Sequence, residues 1–374
     1  MPNTIISLSR FLNFNAREKK QKSLTMMENE KLPLVSITVP VHNASAWISE
    51  CLKSVLHQTY LGPMELCIYN DASSDDSMEI LNEMKDLFDS RGIKVKVTGH
   101  SGEPKGVGFA KNQAIAMGSG DYLCFLDADD VMHPDRVSCQ LQAAQLDPRA
   151  IVGCKFHRKP EGSTERFSQW ANRLCPHQLY TQAYTSHGPT VIMPTWFCHR
   201  NVVESVGGFH EGGKGVPEDL IFFYAHLCGG GTLTRVDKDL LMYRYHPECA
   251  TFSVKEETIW DKRVAFLEQE VLKKWDHFSI WNAGKQGRKL FRSLSRTSQS
   301  KVTMFCDVDE RKISKKYYIY ENSPEVPKPK VPIVYFTEVK PPIIICIKMD
   351  LSGNFEQNLS SLRLKEGRDF IHFN

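Results

Sequence analysis

The sequence lacks any apolar run of the roughly eighteen residues that a membrane-crossing helix requires, so no transmembrane helix is expected along its 374 residues. A signal-peptide core is missing too. Ile5-Ile6-Ser7-Leu8 runs straight into Ser9-Arg10, too short and too interrupted an apolar stretch. Among the 11 cysteines there is no Cys-x-x-Cys pair. That speaks against a zinc ribbon or a disulfide framework, and an odd set of thiols scattered through apolar segments suits a reducing, cytoplasmic compartment. Residues 1–31 carry several Lys and Arg but few acids, which reads either as a disordered tail or as a mitochondrial presequence. No membrane partner and no obligate protein partner is indicated.

A strong overall charge is also absent, since the formal balance is only +3. The charge is unevenly placed, however. Residues 283–374 hold 17 Lys and Arg against 10 Asp and Glu, whereas residues 1–282 hold 30 against 34. A basic back half behind an acidic front half suggests two jobs. With 41% hydrophobic and 24% charged residues the chain is an ordinary globular protein, long enough for two or three cores.

The front half alternates strands and helices. Val35–Val41 reads as a first strand and Ala46–Gln58 as a helix with Trp47, Cys51 and Val55 inward. Glu65–Tyr69 is a second strand, Ser77–Phe88 a helix, Val95–Val97 a short third strand, and Gly106-Val107-Gly108 opens a helix to about Met117. This order predicts a right-handed, mostly parallel α/β sheet, with ligands beyond the carboxyl ends of its strands. His42-Asn43 and Asp71 fall at two of those ends.

The next strand is the centre of the chain. Tyr122–Leu126 is apolar enough to be buried on both faces, and it ends on Asp127-Ala128-Asp129-Asp130. Three carboxylates within four residues repel one another unless a cation sits between them. Hard oxygen ligands suit Mg²⁺ or Mn²⁺.

Val39-Pro40-Val41-His42-Asn43, Asn70-Asp71-Ala72-Ser73-Ser74-Asp75, Ala110-Lys111-Asn112 and Asp127-Ala128-Asp129-Asp130 stand in an order and spacing that resembles glycosyltransferase family 2, of the GT-A fold. Gly207-Gly208-Phe209-His210-Glu211, Glu218-Asp219-Leu220 and Tyr243-Arg244-Tyr245-His246 extend the resemblance over about residues 34–250. The sequence departs from the family's usual pattern at Lys111, often Arg, and at His42, often Tyr.

The resemblance implies a UDP-sugar donor held by Pro40, His42, Asp71, Lys111, Asp127, Ala128 and Asp129, with Asp71 on the uracil. It implies a Mn²⁺ or Mg²⁺ on Asp127 and Asp129, with His246 either completing the metal shell or holding phosphate. The Glu218-Asp219 pair stands at the start of an apolar helix, where acids also gain from the helix dipole. By the family's pattern one of the two, with Asp219 preferred, is the general base of an inverting transfer. Trp196 is a candidate acceptor wall, with core packing as the alternative.

After a helical connector, residues 251–279, the character changes. Ile280 to Arg288 is a strand, turn and helix start bearing a degraded dinucleotide fingerprint, Asn282-x-Gly284-x-x-Gly287. Residues 280–374 are expected to form a smaller Rossmann-like α/β domain, too small to hold a whole dinucleotide. On its first helix Lys285, Arg288, Lys289, Arg292 and Arg296 recur at helical spacing, with Leu290, Phe291 and Leu294 opposite. The array is either a solvated face or a phosphate-backbone contact for RNA. Taken with this tail, the resemblance narrows to family members that act on tRNA. It implies UDP-galactose as donor and the queuosine cyclopentenediol of a cytoplasmic tRNA as acceptor. The alternatives are a UDP-GlcNAc-dependent β-1,3-N-acetylglucosaminyltransferase acting on a glycan or protein, and a non-catalytic RNA-binding protein.

Overall fold

A computed structural model describes residues 32–249, 253–348 and 353–374. Both readings of residues 1–31 therefore lie outside the described residues. Among those described, no helix is long and apolar enough to cross a membrane.

The first sheet is built from β1 (Val35–Val41), β2 (Met64–Asp71), β3 (Lys94–His100), β4 (Tyr122–Phe125), β5 (Val131–Met132), β6 (Ala150–Lys159), β7 (Phe197–His199) and β8 (Thr232–Arg244), in the order β3-β2-β1-β4-β7-β6-β8-β5. β1 pairs in parallel with β2 and β4, and β2 with β3. Their carboxyl ends therefore reach one edge, as expected. The far half is mixed. After β6 the chain crosses residues 160–196 and enters β7 from the edge at which β6 ended, so β7 runs antiparallel to both β4 and β6. β3 is longer than the sequence suggested because it is an edge strand. Half-exposed along its length, it carries little apolar signal.

Pro40 explains where the central strands part. Thr38 accepts a hydrogen bond from the Leu126 N–H, so its backbone faces β4. Pro40 shares that parity and has no N–H to donate. The β1–β4 pairing stops at Thr38 and Phe125, and the acidic loop turns away there. At the opposite end of these strands the Glu65 carboxylate is 2% exposed and gathers Ser36 Oγ at 2.6 Å, Lys96 Nζ at 2.7 Å and the Gly120 N–H at 3.1 Å. One acid thus ties β1, β2, β3 and the turn before β4.

The second sheet comprises β9 (Phe278–Trp281), β10 (Val302–Asp307), β11 (Tyr317–Ile319), β12 (Lys330–Tyr335), β13 (Ile343–Ile345) and β14 (Phe370–His372), in the order β11-β12-β10-β9-β13-β14. All its pairings are parallel except β11 with β12. The chain leaves β9 toward β10 on one side and later returns to β13 on the other, which makes a topological switch at β9. The expected small unit is thus a five-strand parallel sheet with an antiparallel edge. The connector helix, Glu256–Leu267, ends in a π-turn at Glu268–Leu272, short of the expected connector end at residue 279. The two sheets are stitched together. Arg263, 3% exposed, donates at 2.7 Å both to Tyr184 O in the front half and to Asn374 O in the back half. Tyr224 and Phe266 stack with centroids 3.9 Å apart.

Candidate active site

Three strand ends and one helix start converge. Asp71, at the end of β2, is 3% exposed, and its two oxygens accept the N–H groups of Lys105 at 2.9 Å and Gly106 at 2.7 Å. It therefore anchors the loop that feeds the helix Val107–Met117. Its neighbour across the β1 end is His42, whose Nδ1 lies 2.6 Å from Asp71 O. Pro40 is half-buried and Ala128 buried at the same edge.

The helix Val107–Met117 touches the glycine-rich loop backbone to backbone. A Cβ on Gly106, whose φ is +97°, would lie 2.9 Å from Gly213 Cα, and one on Gly108 would lie 2.2 Å from His210 O. Asn112 fixes that contact. It accepts from the Phe209 N–H at 2.8 Å and donates to Phe209 O at 2.9 Å and Glu211 at 2.7 Å. Sequence reasoning quoted Asn112 as part of a motif and gave it no role.

Lys111 lies on the next turn face and is 3% exposed, with Nζ 2.8 Å from Glu218 Oε1. Burial pulls its pKa down, but Glu218, with Asp127 behind it, outweighs that and the net shift is upward. Lys111 therefore turns to Glu218 and away from a donor, and Glu218, 9% exposed, is committed to this ion pair. Asp219 is the accessible member of the pair. The Leu220 N–H donates to its Oδ1 at 2.7 Å. Burial, then the Glu218 charge, raise its pKa to about 6 against the pull of Lys111.

The acidic loop after β4 sits on a buried cation. Arg136, 0% exposed, donates to Phe125 O at 2.8 Å and Pro194 O at 2.9 Å beneath the acids. Asp127 is pushed up to about 6, first by burial and then, against Lys111, by Asp129 and Glu218. Asp130 is 0% exposed. One of its oxygens accepts the Arg244 N–H at 2.9 Å, and the other is buried without a hydrogen-bond partner. Burial and the charges of Asp129 and Asp127 hold it well above the usual carboxylate range. Asp130, Arg136 and Arg244 were missed as site residues. The third acid in the run was the one available signal.

Two overlapping ligand sets meet at Asp129, one of Asp127, Asp129 and Asp130, the other of Asp129, His246 and Cys249, each with donor atoms within 4.8 Å of one another. His246 Nε2 lies 2.9 Å from Asp129 Oδ2. The Cys249 thiol is held protonated by burial, against the pull of the His246 N–H, and a thiol is a poor ligand. The oxygen-rich set, with its unpartnered buried oxygen, fits a hard divalent cation such as Mg²⁺ or Mn²⁺.

Trp196 does not line this crevice. It is 1% exposed, donates Nε1 to Val191 O at 2.7 Å and packs among Phe209, Phe222 and Phe223. Core packing wins because its neighbours supply an apolar slot and a carbonyl for the indole N–H.

In the back half the phosphate position of the dinucleotide fingerprint is filled by the chain itself. Asp307 Oδ2 takes the Ala283 N–H and Lys312 Nζ, both at 2.9 Å. The close-packing glycine persists, since a Cβ on Gly287 would lie 2.0 Å from Asn282 O. The basic array is broken. The helix Lys285–Ser293 ends, and Ser295 caps a new helix, Arg296–Ser300, so Arg296 leaves the arc. Lys289 lies 4.1 Å over the Trp260 ring and Arg288 5.0 Å over Tyr318, while Lys285, Arg292 and Arg296 are exposed.

Comparison with known proteins bears on the front half. The uncharacterized glycosyltransferase EpsJ of Bacillus subtilis is 25% identical over 268 residues, covering 70% of this chain and 75% of that protein. Chondroitin synthase of Escherichia coli is 35% identical over 134 residues, which are 36% of this chain and only 18% of the synthase. Among solved structures, S. aureus TarS 1-349 in complex with UDP-GlcNAc superposes with a TM-score of 0.48 at 16% identity over 71% of each chain. The sequence profile described as Glycosyl transferase family 2 matches residues 36–207. The acids at the parallel strand ends, the cation-ready loop and the Glu218-Asp219 helix start all lie in or beside that segment. Residues 36–207 thus match glycosyl transferase family 2 on a sheet of the GT-A type, and the chain is a glycosyltransferase.

Proposed function

We propose that the protein transfers a hexose, galactose from UDP-galactose, onto a hydroxyl of the queuosine cyclopentenediol in a cytoplasmic tRNA, with inversion at the anomeric carbon. The observation that carries the transfer is the position of Lys111. Its charge is felt by Asp127, at the donor end, and by both Glu218 and Asp219, at the base end. The acids for the leaving group and the acid for the incoming hydroxyl therefore share one buried cation.

His42 orients the uridine, and Asp71 acts through the Lys105–Gly106 turn that it anchors. Asp127 and Asp129, with Asp130 in the same ligand set and His246 beside them, would hold a divalent cation, which would offset charge on the departing diphosphate. Asp219 takes the proton from the acceptor hydroxyl as that oxygen bonds to the anomeric carbon. The bond from that carbon to the β-phosphate oxygen breaks on the opposite face, so an α-linked donor gives a β-linked product and UDP. Glu218, neutralised by Lys111, leaves Asp219 as the base without a second free carboxylate beside it.

The acceptor reading is supported by two features. One is the resemblance read in the sequence, which takes in Ala283-Gly284-Lys285-Gln286-Gly287-Arg288-Lys289 and Phe305-Cys306-Asp307-Val308-Asp309 and implies a tRNA acceptor. The other is the basic excess of residues 283–374, with Lys285, Arg292 and Arg296 exposed. A modified base in a loop offers few contacts, so affinity must come largely from the phosphate backbone. The test is to incubate the protein with queuosine-containing tRNA and several UDP-sugars and to weigh the nucleosides afterwards. A gain of one hexose on queuosine with UDP-galactose alone is expected. Transfer only to a glycan or protein would overturn the acceptor assignment.

A further inference from the structure

A cavity of about 500 Å³ opens beside the metal acids, lined among others by Trp47, Lys159, Arg244, Tyr245 and His246. His246 belongs to both places. Its Nε2 faces Asp129 at 2.9 Å, and its ring stands 5.5 Å from the Trp47 indole, tilted by 35°. The Trp47 face is held by Arg244, whose guanidinium lies 4.5 Å from the ring centroid. Arg244 is itself fixed, through Nε to Asp129 O at 2.8 Å and through an ion pair to Glu50. The other wall is equally rigid. Lys159 and Arg244 are partners at the end of the β6–β8 ladder, and the Tyr245 N–H donates to Lys159 O at 2.8 Å. The Lys159 side chain projects at the exposed rim.

The residues assigned to the donor's uridine, His42 and Asp71, are not among those that line the cavity. They stand at the ends of β1 and β2, whereas Lys159, Arg244 and Tyr245 belong to the ends of β6 and β8, across β4 and its acids in the sheet order. An aromatic floor with the exposed Lys159 at its rim, beside Glu161, suits a flat ring whose phosphate meets that lysine. Stacking is sequence-tolerant, and the cation supplies the backbone contact. We propose that this cavity holds the nucleotide adjoining the one that is glycosylated, its base on Trp47 and its phosphate on Lys159. The assignment rests on the reading that the acceptor is RNA. It gives the front domain its own grip on the acceptor strand, next to the reacting hydroxyl and independent of the basic tail.

The test uses the full-length protein with tRNA and UDP-sugar. Trp47→Leu keeps an apolar side chain but removes the stacking face, and is expected to raise KM for tRNA by about tenfold or more. The effect should fall on KM for tRNA and not on KM for the UDP-sugar, and Trp47→Tyr should recover most of it. Lys159→Gln, at an exposed position that the fold does not need, should lower the salt dependence of tRNA binding by about one unit of log–log slope. If the parent glycosylates RNA and both Trp47→Leu and Lys159→Gln bind it as the parent does, the cavity assignment is wrong while the functional reading stands. If the parent glycosylates a glycan or protein and no RNA, the functional reading fails first and the nucleotide assignment falls with it.

Discussion

Lys111 Nζ meets Glu218 Oε1 at 2.8 Å in a buried ion pair, which commits Glu218 and leaves Asp219 as the proposed base. Asp219→Asn keeps the shape of the side chain but cannot accept the proton. Turnover should fall by about 10²-fold or more, with KM for the donor largely kept. Glu218→Gln should act differently. It leaves the Lys111 charge buried without its partner, a loss of about 3–5 kcal/mol for a broken buried pair, so thermal melting should drop by several degrees. Parallel turnover and melting measurements on the two variants separate the roles. Equal melting with a dead Glu218→Gln enzyme would falsify the assignment.

The pH dependence has a definite sign. Asp219 works as the carboxylate, and burial beside Glu218 places its pKa at about 6. Turnover should therefore be low at pH 5 and rise through pH 6 to a plateau. The limb belongs to the enzyme–substrate complex if it is read from kcat. Asp127 titrates in the same range in the metal-free protein, so the profile is compared at saturating Mn²⁺, where residual activity in Asp219→Asn should lack the limb.

Activity should require a divalent cation and should vanish in excess chelator. Asp129→Asn removes the residue common to both ligand sets and should cost most of the turnover. Cys249→Ser should be tolerated, because a protonated thiol contributes little as a ligand. Direct titration of Mn²⁺ by calorimetry checks the same point without turnover. Tight binding to Asp129→Asn would move the ion elsewhere.

Acid stability should depend on Glu65. Burial alone would raise its pKa, but bonds from Lys96 and Ser36 and the Ser119 N–H overcome that and bring it to about 2. The unfolded-state value is near 4.3. The stabilisation is thus complete above that value and is lost as pH falls toward 2. Glu65→Gln should be less stable than the parent at neutral pH, and its melting temperature should fall less between pH 5 and pH 2.5.

Much of the fold was legible because short apolar strands ending in acids leave a period and a stop that sequence shows directly. Tyr122–Phe125 and the acids after it are the clearest case. What stayed hidden depended on who neutralises whom. Glu218 and Asp219 are near-identical side chains one residue apart, and only the approach of Lys111 from another helix tells them apart. Trp196 stayed open between acceptor wall and core because a lone Trp carries no sign of which face of the chain it will occupy. Arg296 was counted into one helix because periodicity ignores a capping Ser295. Asp307 is an acid at a strand end, and nothing local said that it would turn back onto the Ala283 N–H.

The backbone seam between Gly108 and His210 has a consequence for how damage spreads. A methyl added at Gly108 would meet His210 O at 2.2 Å and Glu218 Cβ at 3.4 Å. The chain leads from Asp71, through the Lys105–Gly106 turn it anchors, across this seam to the Glu218-Asp219 helix start, with no slack segment between. Pushing the seam apart therefore misaligns both ends at once. A lesion remote from either substrate would register as a fault in nucleotide affinity and in proton abstraction together. That paired phenotype distinguishes a spacer defect from loss of any one contact.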